Sequence, residues 1–199
     1  MTAQVRRSYA KGRAKRREII DQAVALFGEV GYRGASLREI AARCGISHPG
    51  LIHHFPTKEA LLLAVLAQRD EDDARRLTAA GEVGVDRLRR TVEVVELNTR
   101  RRAIVEMFTA LSAEATSAEH PAHAYFAERY RTTVAGLTYD YAHAREAGLL
   151  RPGIDPEEAA RQLIALMDGL QVQWLIDSEG TDMAAIVRAH VQAQLMVGI

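Results

Sequence analysis

The most constraining part of this chain is residues 36–61, SLREIAARCGISHPGLIHHFPTKEAL, which predict two short helices joined by a tight turn and then a longer helix. Ser36 with Glu39 three residues later forms a capping box, a pattern that satisfies the free amides at the start of a helix. Gly45 lies where this helix must end, because glycine adopts the left-handed conformation of a helix stop at little cost. Ser47 can cap the second helix. A helix-turn-helix of this size is the arrangement that places its second helix in the major groove of DNA.

An amphipathic helix is predicted just before this segment. Residues 16–30, RREIIDQAVALFGEV, place their apolar side chains on one side at helical spacing, and GYRG at 31–34 interrupts the pattern. Through the stretches IIDQAVALFGEVGYRGASLREIAARCGIS and HHFPTKEALL, the chain resembles the N-terminal domain of the tetracycline-repressor (TetR) family of transcriptional regulators. The resemblance covers roughly residues 13–66, and beyond Lys58 it is mainly one of architecture.

Charge is distributed unevenly along the chain. Residues 1–58 contain eleven Lys or Arg and four Asp or Glu, a net charge of +7, which the remainder balances with −7 to give zero. A basic N-terminal part on an acidic body is expected of a protein that binds nucleic-acid phosphates through one region. For residues 1–12 the alternative is a solvated, disordered tail without a partner.

The remainder of the chain predicts helices and no alternating strand patterns. Capping and stop signals place these helices over residues 58–80, 85–100, 102–116, 121–147, 156–177 and 182–197. We therefore expect an all-α fold of about nine helices. Its parts are a basic arm (residues 1–12), a three-helix DNA-binding head (residues 13–57) and a larger helical body for effector binding and dimerisation (residues 58–199).

The family resemblance implies which side chains face double-stranded DNA. The N-terminal end and outward side of the second helix of the motif are expected to meet base edges, and its surroundings to meet phosphates. Two positions depart from the commoner residues, because many family members have a phosphate-binding Tyr where Ile52 stands, and Pro49 is also unusual. Ile52 offers a thymine-methyl contact or packing instead. The expected DNA-binding residues are Ser36, Arg38, Ser47, His48, Pro49, Gly50, Ile52, His53, His54 and Lys58.

Two broad apolar helix faces near the C-terminus predict a homodimer. The remaining chain is short for covering both faces, and the resemblance implies that these helices pair with their twofold mates in a four-helix interface. A twofold dimer suits a palindromic operator, since its two heads then contact two half-sites. Ordinary intramolecular core is the alternative for part of each face. The expected interface residues are Leu163, Leu170, Ile186, Val187, Val191 and Leu195.

The body is expected to hold a pocket for a small-molecule effector. A regulator needs two global states that a ligand biases, and a mostly apolar cavity between helices is a common binding site. Plain hydrophobic core is the alternative interpretation of the same side chains. The expected lining residues are Met107, Phe108, Leu111, Tyr130, Met167, Gln171 and Trp174. Because they carry few charges, we expect a mostly apolar or amphipathic effector that releases a repressor from its operator.

Several other classes are disfavoured by the sequence. No segment approaches the roughly 20 apolar residues of a membrane span, and the basic N-terminus lacks the apolar region of a secretory signal, so no membrane partner is expected. Cys44 is the only cysteine, which excludes an intramolecular disulfide and favours a reducing, cytoplasmic location. Packing is the expected role of Cys44, with a redox switch as the alternative.

Enzymatic and metal-binding functions find little support. Glu-x-x-His pairs, a phosphate-binding loop and a nucleophile elbow are all missing from the sequence, so we expect neither an enzyme nor a cofactor. His48, His53 and His54 have no cysteine or carboxylate beside them in the motif, and we expect no metal there. A constitutive architectural DNA-binding protein, with the basic head but without an effector cavity, stays open as the competing hypothesis.

Overall fold

The protein is built from helices. The computed structural model describes residues 3–78 and 82–199, with side chains from residue 11 onward except those of 76–78. Over these ranges it contains no strand, only a single backbone bridge between Leu150 and Leu195. The helices are α1 (Ala3–Gly34), α2 (Leu37–Arg43), α3 (His48–His54), α4 (Lys58–Thr78), α5 (Val85–Asn98), α6 (Arg102–Glu114), α7 (His123–Glu146), α8 (Pro156–Ile176) and α9 (Met183–Gln194). The expected all-α fold is confirmed. Within the described ranges, none of these helices is long and apolar enough to span a bilayer.

The predicted capping residues begin the helices of the motif and of the C-terminal region. The Ser36 hydroxyl accepts a hydrogen bond from the backbone N–H of Glu39 at 3.2 Å. The Asp155 carboxylate accepts from two backbone amides at the start of α8, each at 3.0 Å. Gly45 and Gly148 end α2 and α7 with φ values of 61° and 70°. These ends were predictable because each depends on side chains a few residues apart.

Helix α1 is longer than the sequence indicates. It begins at Ala3, so the backbone of residues 3–12, predicted as a basic arm, continues the helix. Met1, Thr2 and the side chains of residues 3–10 lie outside the described residues. Near its other end, Gly31 (φ 69°, ψ 178°) interrupts the helical geometry at the predicted break.

Two hydrophobic cores hold the helices together. The N-terminal core joins the head to α4, α6 and the start of α7; its largest members include Phe27, Leu51, Phe55, Leu62, Leu66, Met107 and Phe126. The C-terminal core joins α5, α7, α8 and α9; its members include Leu88, Tyr141, Leu163, Trp174, Val187 and Leu195. Helix α4 buries its first two turns in the N-terminal core and carries charged side chains over its next two turns.

Candidate DNA-binding surface and effector cavity

Helix α3 has one buried and one open side. Leu51 and the adjoining Phe55 are buried in the N-terminal core, which fixes the rotation of the helix. Ser47 caps α3 by accepting a hydrogen bond from the N–H of Gly50 at 3.2 Å. The side chains on the open side lie outside that core. Of the ten expected DNA-binding residues, Ser36, Arg38, Ser47, Pro49, Ile52 and His53 are exposed, and His48, Gly50, His54 and Lys58 are half-buried.

Two arginines of the head differ sharply in their surroundings. Arg43 is held by Glu29 at 2.7 and 2.8 Å and by Glu39 at 3.0 Å, and the pKa of the Glu29 carboxyl is lowered by that guanidinium. Arg16 is exposed and its guanidinium lies 4.3 Å from the centre of the Phe55 ring, directly beside the end of α3. Arg16 was absent from the expected set. The only sequence signal for Arg16 as a DNA-binding residue was its position in a basic segment. That segment does not show which helix Arg16 packs against.

Lys58 makes structural contacts inside the head. Its ammonium donates hydrogen bonds to the backbone carbonyls of Tyr32 at 2.8 Å and Ala35 at 2.9 Å, and it lies 4.4 Å from the centre of the Tyr32 ring. Burial lowers the pKa of this ammonium. These carbonyls lie at the end of α1 and in the connection to α2, so the hydrogen bonds of Lys58 link the start of α4 to that connection. A phosphate contact by Lys58 has to compete with these bonds.

The three histidines of the motif do not gather into a metal site. His53 and His54 lie edge to face with ring centres 5.7 Å apart. No group of three or more His, Cys, Asp or Glu side chains capable of holding a metal ion occurs in the described part of the chain.

A cavity of about 700 Å³ opens in the body among helices α4–α8. Its volume lies in the range of small-molecule sites, about 300–1,000 Å³. Phe108, Tyr130, Met167 and Gln171 line it, four of the seven residues expected from the sequence. The Tyr130 hydroxyl donates a hydrogen bond to Asp168 at 2.8 Å.

The lining of the cavity is more highly charged than expected. The effector was expected to be mostly apolar or amphipathic because the predicted lining carried few charges. That premise is wrong for this cavity. Aliphatic side chains of Val94, Val95, Leu137 and Ile164 contribute to the wall. The charged lining residues are Arg69, Asp70, Asp73, Arg87, Glu128, Arg129, Asp140 and Asp168. Sequence reasoning missed them because charged residues on a helix usually indicate a solvated face.

The chain matches known proteins over both parts. Residues 19–65 match the family model of bacterial regulatory proteins, tetR family. Residues 84–196, more than half of the chain, match the C-terminal domain of BetI-type transcriptional repressors. The chain belongs to the TetR family. It is therefore a transcriptional regulator with a DNA-binding helix-turn-helix, as the resemblance implied.

Individual relatives agree with this TetR-family assignment. The regulator RutR of Escherichia coli (strain K12) is 42% identical over 55 residues, which cover 28% of this chain and only 26% of RutR. The regulator UidR of the same organism is 27% identical over 189 residues, covering 92% of this chain and 91% of UidR. In fold alone, the chain also resembles a solved structure of a transcriptional regulator from Saccharomonospora viridis in complex with choline, with a TM-score of 0.70 and 24% identity over 90% of this chain and 96% of that one.

Three expected lining residues of this TetR-family protein lie away from the cavity. Met107 and Leu111 point from α6 into the N-terminal core, because they lie on the side of α6 that packs against α1. Trp174 belongs to the C-terminal core, with the Arg102 guanidinium 5.4 Å from its ring centre. Helical spacing alone could not separate them from Phe108, which does reach the cavity.

Most expected interface residues of the regulator are packed inside the subunit. Ile186 is 40% exposed. The other five, Leu163, Leu170, Val187, Val191 and Leu195, are buried in the C-terminal core, because α5 and α7 cover the apolar sides of α8 and α9. These five positions are therefore intramolecular core, the alternative that the sequence left open, and the dimer interface stays a prediction. The open side of α8 and α9 instead carries small or uncharged residues: Ala165, Gly169, Val172 and Ile176 on α8, Ile186, Ala189 and Ala193 on α9, and Met196 just after α9.

Proposed function

We propose that this TetR-family protein is a ligand-responsive repressor that binds a palindromic operator as a homodimer and leaves it when a small molecule occupies the body cavity. The observation that carries the proposal is the position of helix α4. Its first turns are part of the core against which α3 packs, and its later turns form a wall of the cavity. A ligand in the cavity therefore touches the helix that supports the head.

The DNA contacts are proposed for the open side of α3 and the start of α2. Ser47, Pro49, Ile52 and His53 stand there without core packing, so they are available to base edges and to the sugar-phosphate rim. Arg38 and Arg16 add exposed positive charge beside this helix. Arg43 is already paired with two carboxylates and is excluded from the proposed contact set.

The dimer interface is proposed for the open side of α8 and α9. Ala165, Gly169, Val172 and Ile176 recur at intervals of four and three residues, the spacing of a seam between packed helices. Ile176 is 83% exposed, an unusual state for an isoleucine on a helix without a partner. Small side chains allow two helices to approach closely, which compensates for the limited apolar area of each residue.

A second contact between the head and the body supports the proposed coupling between ligand binding and DNA binding. Glu114 at the end of α6 accepts a hydrogen bond from the backbone N–H of Tyr32 at 3.0 Å, and its carboxylate lies 3.3 Å from the buried His120 ring. Helix α6 also carries Phe108 into the cavity. A ligand that binds more tightly to the state with displaced heads shifts the population toward that state, and operator DNA must weaken ligand binding by the same factor.

Operator binding is tested by measuring affinity for selected and random duplexes over a range of salt. If six or more phosphates are contacted, affinity is expected to fall by about 10³-fold or more between 50 and 200 mM salt. His53→Ala is expected to change sequence preference. The matched variant His143→Ala, on α7 of the body, is expected to leave that preference unchanged. Equal affinity for the best palindrome and for random duplex contradicts the proposal.

The dimer is tested with Gly169→Glu. A side chain added at Gly169 meets no atom within 4 Å of its first carbon, so the subunit itself can accommodate the change. We expect sedimentation to show a monomer with unchanged helix content, because a carboxylate buried in the interface without a partner is costly. Ala113→Glu, at an exposed position of α6, is the control and stays dimeric. A dimeric Gly169→Glu protein would exclude this face as the interface.

A further inference from the structure

Arg69 on α4 is an unusual residue for a cavity wall. It is only 7% exposed, and its guanidinium lies 3.9 Å from the centre of the Phe108 ring. Within the described structure, its Nε and Nη1 atoms are buried without a hydrogen-bond acceptor. The carboxylates of Asp70 and Asp73 come no closer than 3.7 and 3.6 Å, which is beyond a good hydrogen bond. A buried guanidinium in this state is costly unless another group completes its bonds.

The two neighbouring carboxylates already have better partners. Asp70 accepts a hydrogen bond from the Tyr125 hydroxyl at 2.6 Å and another from Arg129. Asp73 accepts from Arg101 at 3.3 Å. In the connected cluster three guanidiniums share two carboxylates, so Arg69 has no carboxylate of its own at hydrogen-bond distance. An anionic group in the cavity could supply that partner.

Asp168 is a further carboxyl in the cavity lining, but it forms no ion pair with these guanidiniums. It makes no ion pair within 4 Å in the described structure; its partner is the neutral Tyr130 hydroxyl. Burial raises the pKa of Asp168, because the guanidiniums of Arg129 and Arg69 are too distant to offset its loss of solvation. Another part of the lining is aliphatic, with Val94, Val95, Leu137 and Ile164.

We infer that the effector is an amphipathic carboxylate whose anionic group pairs with Arg69 and whose apolar body lies against the aliphatic wall of the cavity. This inference rests on the proposed function and specifies the ligand class of the same site. A planar carboxylate matches the fork of N–H donors on a guanidinium, and bonds between two charged partners are the strongest of the common hydrogen bonds. The aliphatic wall supplies the non-directional part of the affinity.

The first test compares carboxylates with their amides on the full-length wild-type protein. The probes are octanoate with octanamide and phenylacetate with phenylacetamide; choline is included as a cation. Titration calorimetry reports binding. We expect at least one carboxylate to bind about 10- to 100-fold more tightly than its amide, the factor that one charge-assisted pair provides. Amides that bind as well as the acids, or choline as the only binding probe, would overturn the inference, and so would binding by none of the carboxylates.

The second test uses Arg69→Met with Arg87→Met as the matched control. Both changes remove one positive charge from the cavity wall, but Arg87 is partly exposed and lies 4.0 Å from Asp140. Arg69→Met leaves Asp70 and Asp73 with their other partners, so the ligand-free protein is expected to melt at the same temperature or higher. Carboxylate affinity is expected to fall at least tenfold in Arg69→Met and by less than threefold in Arg87→Met. Equal losses in both variants would point to general cavity charge and overturn the pairing with Arg69.

Failure of this inference and failure of the proposed function have different outcomes. If the ligand class is wrong, Arg69→Met and wild-type proteins still bind the operator and both still respond to an effector of another class. If the protein is not an operator-binding regulator, specific DNA binding is missing from the wild-type protein whatever the probes show. Should Arg69→Met fail to fold, the comparison of acids with amides on the wild-type protein still decides the question.

Discussion

The contacts of Lys58 lead to a prediction that separates a structural role from a DNA-binding one. Lys58→Met keeps the aliphatic stem but removes the ammonium that bonds the carbonyls of Tyr32 and Ala35. Hydrogen bonds from a charged group contribute about 1.5–3 kcal/mol each, and partial exposure places these two at or below the low end because water can replace the donor. We therefore expect a loss of about 2–3 kcal/mol in the free energy of unfolding. For a chain of this size the melting temperature is expected to fall by about 4–12 °C.

The assay is denaturant unfolding combined with a salt titration of operator affinity. Lys11→Met is the control for stability, because Lys11 is exposed on α1 and such surface substitutions usually change stability by less than about 0.5 kcal/mol. If Lys58 only fastens the head, the slope of log affinity against log salt is unchanged in the variant. A phosphate contact would lower that slope by about 0.9. Unchanged stability together with a reduced slope would refute a structural role for Lys58.

Two further predictions concern a glycine and a buried carboxyl. Gly31→Ala is expected to lower the free energy of unfolding by a few kcal/mol, because φ is 69° and the new carbon would lie 2.1 Å from a Glu114 oxygen. Gly12→Ala in the same helix is the control and is expected to stabilise the protein by about 0.5–1 kcal/mol. Equal effects of the two substitutions would contradict this prediction. Asp168→Asn is expected to raise the melting temperature at pH 7, because the pKa of Asp168 is raised by burial and its ionised form therefore weakens the fold as pH rises through that pKa. The gain should vanish as the pH falls below the ordinary aspartate pKa of 3.8, and a gain that persists there would show that charge is not the cause.

Helix boundaries and the family could be predicted because their determinants are local. Ser36, Ser47 and Asp155 cap helices within three residues of themselves, and Gly148 ends one through its own conformation. The helix-turn-helix likewise occupies one continuous segment. These features depend on the order of nearby residues and not on how distant helices pack.

The cavity and the open side of α8 and α9 could not be predicted in detail, because both depend on which sides of the helices other helices cover. Leu163 and Val191 looked available for a partner, but α5 and α7 lie over that side of α8 and α9. What is left open carries Gly169 and alanines, which give little hydrophobic signal. Arg69 resembled a solvated residue in the sequence, and only the packing of Phe108 against it shows that it is buried.

The length of α4 determines how far the head moves when the helix tilts at the cavity. Asp73 in the cavity wall is fifteen residues from Lys58, about 22 Å at 1.5 Å per residue. Tilting such a rod by about 5° about its cavity end moves the other end by about 2 Å, and in the proposed dimer two heads moving oppositely would change their separation by about 4 Å. Half-sites one helical turn apart are about 34 Å from centre to centre, and hydrogen bonds to base edges tolerate only a few tenths of an ångström. An angular adjustment of a few degrees is thus enough to separate the side chains of α3 from the bases, without unfolding or repacking either core.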